Sequence, residues 1–224
     1  MSAFPSPNRG VRRGGQRPEL VVIHYTGMSG CAEARARLCD PDAEVSAHWL
    51  IDRDGSAEQL VDERERAWHA GEGAWAGRDD VNSRSIGIEL VNGGDEPFAE
   101  AQMAALEALL AAIMARWGIP PRGVIGHSDM APARKHDPGP RFDWRRLARA
   151  GLSVWPRPEP APGNFAADLG RFGYPHAPPG VLLRAFRLRF RPWALGLAGP
   201  DATDRALAAD LAARFGVDGR APAP

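Results

Sequence analysis

Gly123-Val124-Ile125-Gly126-His127-Ser128-Asp129-Met130-Ala131-Pro132-Ala133-Arg134-Lys135-His136-Asp137-Pro138-Gly139-Pro140 is a short apolar run that ends in a histidine and passes into an irregular loop. The run predicts a buried strand, and the prolines and glycines after it exclude helix and central strand alike. A loop of this kind cannot satisfy its own backbone, so it lies at a surface and depends on rigid elements beneath it to fix its side chains. Lys135 is the only lysine in the chain; every other basic residue is arginine. A compact ammonium kept at one place points to a use for a point charge whose geometry or pKa a guanidinium would not reproduce.

A second strand ends the same way. Leu20-Val21-Val22-Ile23-His24-Tyr25 is continuously apolar and β-branched in the middle, the pattern of a strand covered on both faces. His24 at its end is either a hydrogen-bonded core residue or a ligand, and its partners must decide. Ser85-Ile86-Gly87-Ile88-Glu89-Leu90-Val91 alternates with period two, which places Ile86, Ile88 and Leu90 on one face and Ser85, Gly87 and Glu89 on the other. Glu89 therefore has small neighbours, with a solvated glutamate as the plain alternative. Ala47–Asp52 and Ala57–Val61 read as a hairpin turning at Asp54-Gly55.

Helices are expected at Cys31–Leu38 and, most clearly, at Ala101–Trp117, where Met103, Leu106, Leu110, Ile113, Met114 and Trp117 form one stripe ended by Gly118 and Pro120. Strands alternating with helices predict an α/β fold, a mixed central sheet flanked by helices. The stiff segment 156–163 then reads as a Pro-rich linker to a small three-helix domain over 164–217, with helical patterns at Asn164–Phe172, Pro179–Phe190 and Asp201–Phe215. Residues 1–19 are expected to be an irregular leader, 20–155 the main domain and 218–224 a tail. Arg184, Arg187, Arg189 and Arg191 read as a stripe for an anionic polymer or as a solvated face.

Acidic and basic residues balance at 28 each, so no global field recruits nucleic acid or an anionic membrane. No stretch reads as a secretory signal or a transmembrane segment, and Cys31 and Cys39 read as free thiols. A cytoplasmic monomer is the expectation, with a periplasmic location and a disulfide as the alternative if the protein is exported. The Gly- and Trp-rich loop from Trp68-His69-Ala70-Gly71 to Gly77 suits a sugar-binding wall, although such tryptophans also cap cores.

Two imidazoles and one carboxylate make a usual catalytic zinc set with a fourth position open to water. His24, His127 and Asp137 are the candidates. Zinc would lower the pKa of water from about 15.7 to about 7, Glu89 would move its proton to the departing amine, and Lys135 would stabilise the oxyanion. Sequence spacing alone does not join His24 to the other two.

Five stretches together carry a resemblance: Val21–Thr26, Ser46–Ile51, Ala67–Gly71, Asn82–Leu90, and Gly126–Asp129 with Lys135–Pro140. They resemble the zinc-dependent N-acetylmuramoyl-L-alanine amidases of the amidase-2 family, which share a fold with peptidoglycan recognition proteins and phage T7 lysozyme. The resemblance spans about residues 19–145. It implies Zn2+ on His24, His127 and Asp137, Glu89 as acid/base, Lys135 as transition-state stabiliser, and hydrolysis of the amide between N-acetylmuramic acid, or its 1,6-anhydro form, and L-alanine of the stem peptide. Peptidoglycan or a muropeptide is the implied substrate, in cell-wall turnover or recycling. Asn82, Trp68 and His69 are implied in the substrate groove. Asp80 stands where one branch has an arginine that grips the peptide carboxylate, which leaves Arg78 or Arg84 to replace it. The carboxy-terminal helices are similar, more loosely, to a peptidoglycan-binding domain. A non-catalytic module that holds peptidoglycan is the competing reading; loss of a ligand would mark it, and none is lost.

Overall fold

The run Leu20–Tyr25 becomes strand β2 and takes an inner place in the sheet, which is why both of its faces are apolar. In a computed structural model of the chain, residues 5–158 and 163–217 are described. The first four residues of the expected leader, residues 159–162 of the expected linker and the expected tail at 218–224 lie outside the described residues. In chain order the elements are β1 (Arg9–Gly10), β2, α1 (Cys31–Cys39), β3 (Trp49–Ile51), β4 (Ala57–Gln59), β5 (Arg66–Ala67), α2 (Val81–Arg84), β6 (Ser85–Leu90), α3 (Glu100–Trp117), β7 (Val124–Gly126), α4 (His127–Met130), α5 (Trp144–Arg149), α6 (Phe165–Phe172), α7 (Pro179–Phe190) and α8 (Ala202–Phe215), with short 3-10 turns between some of them.

The main sheet runs β4-β3-β6-β2-β7. β2 pairs in parallel with β6 and β7, β3 is parallel to β6, and β4 returns antiparallel to β3 across a turn in which Gly55 takes φ +88°. Alternation along the strands then sorts the side chains. Val21, Ile23, Ile86, Ile88 and Leu90 pack beneath α3 against Met103, Leu106, Leu110 and Ile113, each contributing roughly 1.5–3 kcal/mol by leaving water. The opposite face carries Leu20, Val22 and Ile125 at one end and His24, Gly87 and Glu89 at the other. Because His24 and Glu89 are register partners on adjacent strands, the chemistry sits at the carboxyl ends of the parallel strands.

The structure corrects two expectations. The amino-terminal stretch is not irregular throughout: β1 pairs with β5, and the buried Arg12 donates to the carbonyls of Asn82, Ser83, Ser85 and Glu63 at 2.8–3.2 Å. A two-residue strand is too short for any periodicity to announce. Nor do Arg187, Arg189 and Arg191 form a stripe for a polymer. Arg187 and Arg189 are buried and paired with Asp204 and Asp129 at 2.6 Å, and Arg191 with Asp201 and Asp204 at 2.7 Å; of the four, only Arg184 is exposed.

The three carboxy-terminal helices form where expected, with Asn164 and Asp201 as N-caps. They do not close a core of their own. Phe165, Leu169, Phe172, Phe186, Phe190, Leu207 and Leu211 share one cluster with Leu20, Val22, Trp75, Ile125, Met130 and Val154. Sheet and helices are therefore expected to unfold together: Phe172→Ala should cost about 3–5 kcal/mol and lower the midpoint of a single transition, seen alike by circular dichroism and tryptophan fluorescence. Two separated transitions would show that the helices stand alone.

Candidate functional site

His24 is the penultimate residue of β2, His127 opens α4 directly after β7, a single helical turn where the sequence predicts only irregular loop, and Asp137 comes from the loop that follows. Ser128 N–H donates to the Asp137 carbonyl at 2.9 Å, so the α4 turn holds its own residue and the aspartate as one unit. Three atoms converge: His24 Nδ1 lies 2.9 Å from His127 Nδ1 and 2.9 Å from Asp137 Oδ2, and His127 Nδ1 lies 3.0 Å from the same oxygen. All three residues are buried.

The hydrogen bonds behind these atoms fix which nitrogens carry protons. His127 Nε2 faces the Ala70 carbonyl at 2.9 Å; a carbonyl only accepts, so Nε2 carries the hydrogen and Nδ1 is a bare lone pair. Ser85 Oγ donates to the Val81 carbonyl at 2.6 Å and therefore accepts from His69 Nε2 at 3.2 Å. His69 Nδ1 is then bare and accepts from His24 Nε2 at 3.0 Å, which leaves His24 Nδ1 bare as well. Burial, with His127 nearby, lowers the His24 pKa to about 4, so its ring is neutral at pH 7. Three lone pairs thus point at one place, an arrangement that repels itself unless a cation sits among them. A tetrahedral site with bonds of about 2.0–2.1 Å spaces its donors by about 3.3 Å, so the set fits a metal ion with little movement.

Glu89 stands beside this point. It lines the cleft, and its Oε2 is buried without a hydrogen-bond partner. Burial, reinforced by the Asp137 charge, raises its pKa to about 8. Lys135 lines the same cleft of about 440 Å³ together with His24, His127, Asp137, Glu89 and Trp68, a volume that admits a small ligand. The cleft thus gathers a potential metal set, a carboxyl poised to exchange a proton near neutrality and the Lys135 ammonium, which together suit hydrolysis.

The other expected residues fall differently. Trp68 is half-buried at the cleft wall, whereas Trp75 is core, edge-on to Phe172 and Tyr174. His69 is hydrogen-bonded behind the His24 ring and also lines the cleft. Gly87 makes room for its ring: a Cβ there would lie 2.4 Å from the nearest His69 ring atom. Asn82 is buried and its Oδ1 accepts from His69 N and Ala70 N at 3.0 and 2.8 Å, so that oxygen is committed to holding the loop. Arg84 is a correction. It is buried and spent on Glu19, the Trp75 carbonyl and the Arg78 carbonyl, and Arg78 is tied to Glu19 and Gln16, away from the cleft. Arg37 and Arg134 line the cleft instead. Sequence offered one signal for Arg134, its place beside Lys135, and none for Arg37. His136 is exposed at the rim of the same cleft. His48 is wholly buried, its Nδ1 accepting from Gly87 N–H.

Residues 14–140 match the Amidase_2 family, N-acetylmuramoyl-L-alanine amidase. The chain belongs to that family. It is 37% identical to N-acetylmuramoyl-L-alanine amidase AmiD of Escherichia coli, over 90% of this chain and 85% of that protein. It is 38% identical to the 1,6-anhydro-N-acetylmuramyl-L-alanine amidase AmpD of Enterobacter cloacae, over 64% of this chain and 86% of that one. The solved complex of E. coli AmiD with anhydro-N-acetylmuramic acid-L-Ala-D-gamma-Glu-L-Lys superposes with a TM-score of 0.82 at 35% identity, covering 93% of both chains. AmpDh3 of Pseudomonas aeruginosa in complex with anhydromuramic pentapeptide gives 0.81 at 30%, covering 93% of this chain and 96% of that one. The amidase-like sheet expected from sequence is therefore present, and the chain is an enzyme of this family rather than a non-catalytic binding module. Among the described residues no helix is long and apolar enough to cross a membrane.

The raised Glu89 pKa ties stability to pH in metal-free protein. The folded state keeps a proton that the unfolded chain gives up above its ordinary pKa of 4.5, so stability falls as pH rises from 4.5 towards about 8. With chelator present, Glu89→Gln should be more stable than the parent at pH 8, by up to a few kcal/mol at about 1.4 kcal/mol for each tenfold change in proton affinity, and should gain nothing at pH 4. Chemical denaturation at the two pH values checks this; an equal gain at both would place Glu89 in water.

Proposed function

We propose that the chain is a zinc-dependent amidase that cleaves the bond between the lactyl carbonyl of N-acetylmuramic acid, or its 1,6-anhydro form, and L-alanine of the stem peptide. The observation that carries the reading is the convergence of three lone-pair atoms on one point beside the unpartnered Oε2 of Glu89. His24, His127 and Asp137 would hold the ion, a nitrogen and oxygen donor set that suits zinc. When bound, zinc supplies the Lewis acidity that makes water nucleophilic at neutral pH and polarises the scissile carbonyl.

The remaining steps belong to the chain's own side chains. Glu89, ionised, takes a proton from the attacking water through its carboxylate; the C–N bond then breaks as the same carboxyl returns that proton to the alanine nitrogen, leaving a free muramoyl carboxylate and a free stem peptide. Lys135 offers a compact positive charge to the oxyanion that develops between these steps. His69, backed by Ser85, keeps the His24 tautomer that frees Nδ1. Trp68 forms a wall for the sugar or peptide, and Arg37, with Arg134 whose Nη2 also donates to the Ala70 and Glu72 carbonyls, is placed to meet the carboxylates of the stem peptide in place of the arginine that stands at position 80 in one branch of the family. Asp80 itself pairs with Arg66 at 3.2 Å.

The solved AmiD and AmpDh3 complexes hold anhydromuramoyl peptides, and we carry that substrate class to this chain. We assign a monomer in a reducing compartment, the cytoplasm, in keeping with the free Cys31 and Cys39. We also divide the chain into a catalytic part, 20–155, and a helical part, 164–217, joined by 156–163. Purified protein should release free stem peptide from anhydromuramoyl tripeptide, lose that activity to chelator and regain it with zinc. Glu89→Gln should keep zinc and lose about 10²–10⁴-fold in turnover. Full turnover in that variant would remove Glu89 from the reaction.

A further inference from the structure

Arg189 lies in the last turn of α7, yet every partner of its guanidinium nitrogens lies outside the carboxy-terminal helices. Nη1 donates to Asp129 Oδ2 at 2.6 Å; Nη2 donates to the Val124 carbonyl at 3.0 Å and to Ser153 Oγ at 3.2 Å. The guanidinium plane sits 4.3 Å from the Trp144 ring centre. One planar fork therefore joins β7, the α4 turn, the segment after α5 and α5 itself. Arg189 is 2% exposed and Asp129 is wholly buried.

Asp129 is the residue that shapes the α4 turn. Its Oδ2 also accepts from Gly126 N–H at 2.8 Å, closing the turn that begins with His127, and its Oδ1 accepts from Tyr174 Oη, just past the end of α6. A four-residue helix has too few internal hydrogen bonds to hold its own position. What fixes this one is a carboxylate whose counter-ion and second donor both arrive from the carboxy-terminal part. The turn in turn carries two of the three converging donors, because Ser128 N–H holds the Asp137 backbone.

We propose that Arg189 is a positioning residue for the metal set, and that the helices after the linker serve to clamp the His127 turn. The clamp rests on the metal-site reading above but is distinguishable from it. The second buried ion pair of α7, Arg187 with Asp204, lies wholly within the carboxy-terminal helices and supplies a matched control. A lysine in place of either arginine keeps the buried charge but cannot span several acceptors at once.

The test compares Arg189→Lys with Arg187→Lys in the full chain. Zinc affinity is read by competition with a chromophoric chelator, and hydrogen exchange is read at the Gly126 and Ser128 amides in metal-free protein. Arg189→Lys should weaken zinc about tenfold or more and speed exchange at both amides, while Arg187→Lys lowers the melting temperature and leaves both readouts at parental values. The double variant Asp129→Asn with Arg189→Met, which removes the buried charge but keeps an acceptor for Gly126, should show the same loss of zinc affinity. Parental affinity and exchange in Arg189→Lys or in the double variant, or an equal loss in Arg187→Lys, would overturn the clamp. Should the parent bind no zinc, the metal reading fails by itself and the exchange rates still decide about the clamp.

Discussion

Three buried atoms that can only accept hydrogen bonds are held within about van der Waals distance of one another, and the rest of the molecule can be understood as the means of keeping them there. Left to themselves, two imidazole lone pairs and a carboxylate oxygen would turn apart or capture a proton. Each is prevented by a bond on its far side: Ala70 O behind His127, His69 behind His24, and the Ser128 amide on the backbone of Asp137. Metal sites gain affinity when their outer partners set tautomer and orientation in advance, and here both imidazoles are tied to backbone carbonyls, His127 to Ala70 directly and His24 to Val81 through His69 and Ser85.

Why the arrangement falls at this end of the sheet follows from strand pairing. β2, β6 and β7 run parallel and end together, so residues at their carboxyl ends are neighbours however distant in sequence. On the face turned away from α3, the sheet offers Ser85, Gly87 and Glu89 in succession: a hydroxyl for His69, a gap that admits its ring, and then the carboxyl. The same face supports the carboxy-terminal helices farther along, which makes them part of the scaffold of the site through Phe172, Tyr174 and Arg189. The Glu89 carboxyl is costly to bury, and its raised pKa is the form that cost takes.

Much of this is legible in the sequence. An apolar run that stops at a histidine marks a strand delivering a side chain to a loop, and it does so for both His24 and His127. Alternation over Ser85–Leu90 puts Glu89 on the face with small neighbours, where it lies. Less legible are residues whose role depends on what faces them across the fold. His69 reads as part of a sugar-binding wall because its loop is rich in Gly and Trp; only the pairing that sets Gly87 opposite it reveals a buried partner for His24. The arginines of α7 read as a basic stripe because Asp129 lies 60 residues away in the chain, and no helical periodicity reports a counter-ion on another element. Arg84 follows the same rule, its carboxylate partner being Glu19.

The central claim is best tested by anomalous diffraction from crystals of the full chain loaded with zinc. A single strong peak is predicted within about 2.0–2.2 Å of Nδ1 of His24, Nδ1 of His127 and a carboxylate oxygen of Asp137. Zinc bound through the Nε2 atoms, zinc bound at His136 without these three residues, or no ordered zinc in the cleft would contradict the account.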